Sequence, residues 1–162
     1  MSIITNTGPL IALAKIDKLS VLQQLFGYVS VPPAVHRELM AKSGSDVERL
    51  DVAFSQFIKI TAQPDSPAEV RIVTDHLDAG EQQAIALAYA EKTVLVIDER
   101  LGRTAARQLG LNISGSTGVL IEAKRRGFIP AVVPLLYDIR YHGYWLSDSL
   151  ILLAAELTGE SA

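Results

Sequence analysis

The sequence predicts an α/β domain, a three-layer sandwich built on a central parallel sheet, and three observations carry that expectation. Short apolar segments alternate with longer amphipathic ones, and strand-helix-strand crossovers favour parallel pairing. The clearest strands, containing Ile3-Ile4 and Val94-Leu95-Val96-Ile97, are apolar at consecutive positions, so both faces are buried, as in a sheet covered on two sides. The chain has 162 residues, of which 49% are hydrophobic, which suits one core without a covalent staple. A single domain over residues 1–162 is therefore expected.

Element by element, residues 2–5 form a first strand, which Thr7-Gly8-Pro9 breaks before a helix over 10–16. Asp17 caps a second helix over 18–26, whose Leu19, Leu22 and Phe26 share a face. Tyr28 to Val31 is a second strand, and Pro32-Pro33 opens a helix through about Lys42, because proline suits a first helical turn. A helix over 46–57 and an edge strand over 58–61 follow, and residues 62–67 are linker-like without requiring a domain boundary. Asp78-Ala79-Gly80-Glu81 starts an alanine-rich helix to about Lys92, leading into the strand 94–97 and a helix over 99–109. A last short strand at Ile113-Ser114 precedes helices over 117–126, 132–141 and 149–157.

Composition excludes several chemistries. There is no cysteine, so disulfides, thiolate nucleophiles and Cys-ligated zinc are out. His36, His76 and His142 lack zinc spacing. No two glycines are separated by one residue and no Gly-Lys pair occurs, which removes the dinucleotide fingerprint and the phosphate-binding loop. Ser114-Gly115-Ser116-Thr117-Gly118 is not a nucleophile elbow, because Ser114 stands where a glycine is needed. The amino terminus is not a signal peptide, and Leu150 to Ala155 is too short to span a bilayer, so a soluble cytoplasmic protein is expected.

The net charge of −3 names no partner, but the charges are segregated. Asp65, Glu69, Asp75, Asp78, Glu81, Glu91, Asp98 and Glu99 face only Arg71 and Lys92, whereas the next stretch holds Arg100, Arg103, Arg107, Lys124, Arg125 and Arg126 against Glu122. That order is compatible with a cation site beside a polyanion site, or with blocks that disperse on folding.

Open parallel sheets place their chemistry outside the carboxyl ends of the strands. Two strands end on oxygen-bearing side chains, Asn6 and Asp98, which converge if the strands are neighbours; each alone also suits an Asx turn or a helix cap. Glu81 heads the stripe Ala84, Ile85, Ala88, where an acid is costly unless it is paired, bound to a cation or engaged with Asp78 in a capping box. Glu38 lies at the margin of a buried face, between Val35 and Leu39, or on the surface. Together these oxygens suit Mg²⁺ or Mn²⁺, which keep several waters and act on phosphodiesters. Arg100, Arg103 and Arg107 recur at i, i+3 and i+7, a basic face for a nucleic-acid backbone or for solvent. Tyr137, Tyr141, Tyr144 and Trp145 gather near the carboxyl end, for base stacking or for packing.

The order of these segments resembles the PIN-domain family, in particular a VapC-like branch of predicted nucleic-acid-binding proteins. The likeness runs through Asn6-Thr7-Gly8-Pro9-Leu10-Ile11, Glu38, Leu77-Asp78-Ala79-Gly80-Glu81, Val96-Ile97-Asp98-Glu99-Arg100, Gly118-Val119-Leu120, Ala123-Lys124-Arg125-Arg126-Gly127 and Leu146-Ser147-Asp148. The resemblance implies a PIN-like sandwich and a metal-dependent endoribonuclease using Mg²⁺ or Mn²⁺, commonly the toxin of a toxin-antitoxin pair, with an antitoxin partner and a homodimer. By motif, Asn6, Glu38, Glu81 and Asp98 take the four catalytic and metal-binding positions. Thr7 matches the hydroxyl residue after the first acid and joins Arg100, Arg103 and Arg107 as an expected nucleic-acid contact, and Gly8 departs from the usual Ser or Asn. Asn6 is the larger departure, since an amide offers a neutral oxygen and no charge. It leaves open a weakened enzyme, a non-catalytic RNA-binding or regulatory module on the same fold, or a residue changed to tame a toxin.

Overall fold

The computed structural model describes residues 3–62 and 65–162, so Ser2 of the first expected strand and residues 63–64 of the linker-like stretch lie outside it. The elements are β1 (Ile3–Thr5), α1 (Thr7–Lys15), α2 (Ser20–Phe26), β2 (Val29–Val31), α3 (Pro33–Met40), α4 (Ser45–Gln56) and β3 (Ile58–Ile60). Then come α5 (Ala68–Thr74), α6 (Ala79–Glu91), β4 (Leu95–Val96), α7 (Arg100–Gln108), β5 (Ile113–Ser114), α8 (Ser116–Arg125), α9 (Val133–Tyr141) and α10 (Asp148–Thr158). The strands form one sheet in the order β3-β2-β1-β4-β5, every pair parallel.

Pleating explains the three layers. Ile3 and its register partner Val29 join a core with α1 to α4 and α8 to α10. Ile4 and its partner Leu95 turn to the other face, where they meet Val70, Ile85, Leu87 and Ala106 from α5, α6 and α7. Because successive side chains point to opposite faces, a strand as short as β1 serves both cores. Each fully buried aliphatic side chain contributes about 1.5–3 kcal/mol, and Ile3, Ile4, Leu10, Leu13, Leu22 and Leu95 are all fully buried.

Local expectations fail in three places. The helix expected at residue 10 begins at Thr7, with Pro9 inside its first turn, where the missing N–H has no intrahelical partner to lose. Asp17 does not cap α2; it adopts φ +54° and its N–H donates to Ala14 O, so it closes the preceding turn. A helix, α5, follows the linker where none was expected, with only one short buried face, Val70 and Thr74, against the fold.

The chain lays β1, β2 and β3 outward in one direction, then returns to place β4 and β5 on the other side of β1. The crevice between β1 and β4 is thus the topological switch point, where ligands bind in open α/β sheets. No helix among the described residues is long and apolar enough to cross a membrane.

Candidate active site at the sheet switch point

The register fixes the rim. Ile4 pairs with Leu95 and Thr5 with Val96, and the Asn6 N–H continues the ladder to Val96 O at 2.9 Å. Asn6 and Asp98 therefore leave adjacent strands at the same edge. A cleft of about 920 Å³ opens there, and Asn6, Thr7, Glu38, Glu81, Asp98, Arg100 and Arg103 all line it. Arg107 lies outside that lining, on the exposed side of α7.

Asp98 is held from both sides. Its Oδ1 accepts the Ser116 N–H at 2.8 Å, and its Oδ2 accepts the Tyr144 hydroxyl at 2.6 Å. Helix α8 can approach because residue 115 is glycine: a Cβ there would sit 2.6 Å from Asp98 Oδ1. The cap of α7 is Glu99, whose Oε2 accepts the Gly102 N–H at 2.9 Å, so Asp98 is free of the capping role that its position before a helix allowed.

Glu81 has no comparable support. Asp78 caps α6 by accepting the Glu81 N–H at 2.8 Å, yet the Glu81 side chain is only 8% exposed and its Oε2 has no hydrogen-bond partner. Burial, reinforced by Asp78 and Glu99, pushes its carboxyl up from 4.5 to about 8. Such an acid lacks a positive neighbour. Asn6 is 6% exposed, and its Oδ1 is likewise buried and unpartnered.

One consequence is a pH dependence of stability. Between about pH 4.5 and 8 the folded protein keeps a proton on Glu81 that the unfolded chain releases, so stability falls as pH rises through that window and levels off above it. Urea unfolding at about pH 5 and about pH 8.5 should show a loss of about 1–2 kcal/mol from this group, allowing for solvent screening in the cleft. Glu81→Gln should remove that loss.

Glu38 is the exposed member of the set. Its Oε2 accepts the Thr7 hydroxyl at 3.0 Å and would lie 3.1 Å from a Cβ at Gly80, which places it over the start of α6. The Ala34 N–H donates to Gln83 Oε1 at 2.9 Å, tying α3, which carries Glu38, to α6, which carries Glu81. The Thr7 hydroxyl, a candidate nucleic-acid contact, is thereby engaged with Glu38 in this structure.

The basic block separates on folding. The Arg103 guanidinium donates to Ile97 O at 2.7 Å and Ser114 O at 3.1 Å, clamping the ends of β4 and β5. Lys124 pairs with Glu160, Arg125 with Glu122, and Arg126 donates to Leu25 O. Arg100 and Arg103 are the members of the block that reach the cleft. The aromatic group also divides: Tyr144 and Trp145 line the cleft, Tyr141 does not, and Tyr141 and Trp145 are 85% and 76% exposed, so core packing does not account for those two.

Several site features are not evident from the residue spacing. Tyr144 and the Ser116 N–H meet Asp98 across long stretches of chain, and the buried Oγ atoms of Ser116 and Thr117 have no partner. Asp78 and Glu99 crowd Glu81. Ile11, Ile121, Leu150, Leu153 and Leu157 give the cleft an apolar wall. From the sequence alone the Ser114 to Gly118 segment is only a rejected nucleophile elbow, and Tyr144 one aromatic in a group.

Among the described residues, no three His, Cys, Asp or Glu side chains are close enough to hold a metal ion by themselves. The oxygens of Asn6, Glu81, Asp98 and Glu38 could still contribute to a hard divalent cation that keeps much of its shell as water and phosphate oxygen. The unpartnered Asn6 Oδ1 and Glu81 Oε2 fit that role, since both are buried acceptors without a donor.

Acidic side chains thus meet at the switch point of a parallel sheet, where open α/β sheets bind their ligands. A family model described as a PIN domain matches residues 2–160, and the chain belongs to that family. No curated protein matches the chain. The three-layer architecture is that of a PIN-like α/β sandwich, a nuclease fold.

Proposed function

We propose that this protein is a metal-dependent endoribonuclease of VapC-like type that hydrolyses RNA phosphodiester bonds, acting as the toxin of a toxin-antitoxin pair in the cytoplasm. The observation that carries the reading is the meeting of Asn6, Glu38, Glu81 and Asp98 in one cleft, with the Asn6 and Glu81 oxygens buried and unpartnered. Bound Mg²⁺ or Mn²⁺ would supply positive charge to the phosphate and lower the pKa of an attacking water.

The chain's own residues do the rest. Asp98, fixed by Ser116 and Tyr144, presents a charge of defined orientation. Glu81 releases its proton when a positive charge compensates its burial, and the resulting carboxylate can orient water. Arg100, exposed in the cleft lining, can contact a phosphate directly, while Arg103 uses Nη1 to hold the rim and keeps its other donors beside the cleft. Arg107 extends the basic face outward along α7. Exposed Trp145, which also lines the cleft, offers a ring for a base of single-stranded RNA. An antitoxin and a second copy of the chain are the protein partners of this reading.

The test is cleavage of a labelled single-stranded RNA by the purified chain. Turnover is expected with Mn²⁺ or Mg²⁺, to be lost on adding EDTA and restored by excess metal. A second reading, a non-catalytic RNA-binding module, is favoured by the neutral amide at Asn6 and by the absence of a metal-holding trio among the described residues. It predicts salt-sensitive RNA binding with no turnover under any metal.

A further inference from the structure

We propose that Tyr144 is a positioning residue for Asp98, and that Gly8 is the residue whose missing side chain admits it. The inference deepens the ribonuclease reading and rests on it for its catalytic consequence. Tyr144 lies in the connection between α9 and α10, and its ring packs against the larger core. Its hydroxyl donates to Asp98 Oδ2 at 2.6 Å, opposite the Ser116 N–H on Oδ1 at 2.8 Å. A carboxylate oxygen has more than one acceptor direction. Asp98 can therefore be held by both donors and still offer lone pairs to the cleft. One donor belongs to a helix start and the other to a ring seated on the core, so the carboxylate is clamped between two rigid supports.

The second half of the inference is steric. A Cβ on residue 8 would lie 2.7 Å from Tyr144 Oη, 3.7 Å from the ring carbon that bears it, and 3.9 Å from Asp98 Cβ. Residue 8 sits inside α1, where glycine costs stability relative to alanine. Its backbone is not in the left-handed region, so conformation does not call for glycine. The space does. A side chain at position 8 and the Tyr144 hydroxyl compete for the same volume beside Asp98. A small hydroxyl residue placed there could take over the contact with Asp98 only if the tyrosine oxygen were removed.

The experiment measures Mn²⁺ affinity by calorimetry on the metal-free chain of 162 residues, below its unfolding temperature, together with urea midpoints. Tyr144→Phe keeps the ring, and should weaken Mn²⁺ binding about tenfold or more, the scale on which partners of ligating carboxylates act. Gly8→Ser alone should lower both affinity and urea midpoint by displacing the tyrosine. The double variant, in which the serine hydroxyl fills the vacated volume, should recover most of both losses. Wild-type binding with an unchanged Tyr144→Phe affinity would overturn the positioning role, and a double variant no better than the worse single would overturn the role of Gly8. If the wild-type chain binds no Mn²⁺, the metal-dependent reading fails, and the inference is decided by the midpoints of Tyr144→Phe, Asp98→Asn and their combination. Losses that overlap support the contact; losses that add reject it.

Discussion

Asp98→Ala should lower Mn²⁺-dependent RNA cleavage by about 10²–10³-fold or more, the scale for removing a group that organises charge at a reacting phosphate. The fold should survive, because Asp98 lies beyond the last residue of β4 and belongs to neither core. The variant nevertheless leaves the Ser116 N–H and the Tyr144 hydroxyl without their acceptor, which should cost about 1–3 kcal/mol of stability. Asp98→Asn separates these effects, since an amide oxygen still accepts from Ser116 while carrying no charge. Single-turnover cleavage rates, measured with circular dichroism and urea unfolding, distinguish a lost charge from a lost fold. Undiminished cleavage in Asp98→Ala would remove Asp98 from the chemistry.

Asn6→Asp should act in the opposite direction. It adds a negative charge at a buried position whose oxygen has no partner, in the cleft that Glu81 and Asp98 also line. Without metal the added charge meets other carboxylates in a desolvated place, so the variant should be less stable than the wild type. With metal the same charge attracts the cation, and the dissociation constant for Mn²⁺ should fall by about 10- to 100-fold, or about 1.4–2.8 kcal/mol. The signature is a melting temperature that starts lower and rises further on adding Mn²⁺. Equal Mn²⁺ affinity in the two proteins would show that residue 6 does not face the cation. Cleavage that appears only in the variant would favour the binding-module reading for the natural chain.

Much of this site was legible because its chemistry is local. The end of each strand is marked by a change from apolar to oxygen-bearing residues, so Asn6 and Asp98 stood out before any pairing was known. Glu81 stood out because an acid at the head of an apolar stripe contradicts helical patterning, and it is buried as that pattern requires. Glu38 was less distinct, and its carboxylate is exposed and bonded to Thr7. The arginines differ from one another in the folded chain. Their helical spacing is real, yet Arg103 turns its guanidinium onto backbone carbonyls, a use that periodicity does not encode.

In the chain of 162 residues the absence of cysteine excluded thiol chemistry, and the charge of −3 named no partner. Alternating apolar segments determined the parallel sandwich, since secondary-structure period and two-sided burial are properties of neighbouring residues. Strand order belonged to the tertiary structure alone: only the placement of β4 beside β1 turns two separate strand ends into one rim. So did the support of Asp98 by Tyr144, the vacancy at Gly8 and the crowding of Glu81 by Glu99. These contacts join residues far apart in the chain. Their energies depend on distances of a few ångströms, and no spacing along a sequence specifies such distances until the core has packed.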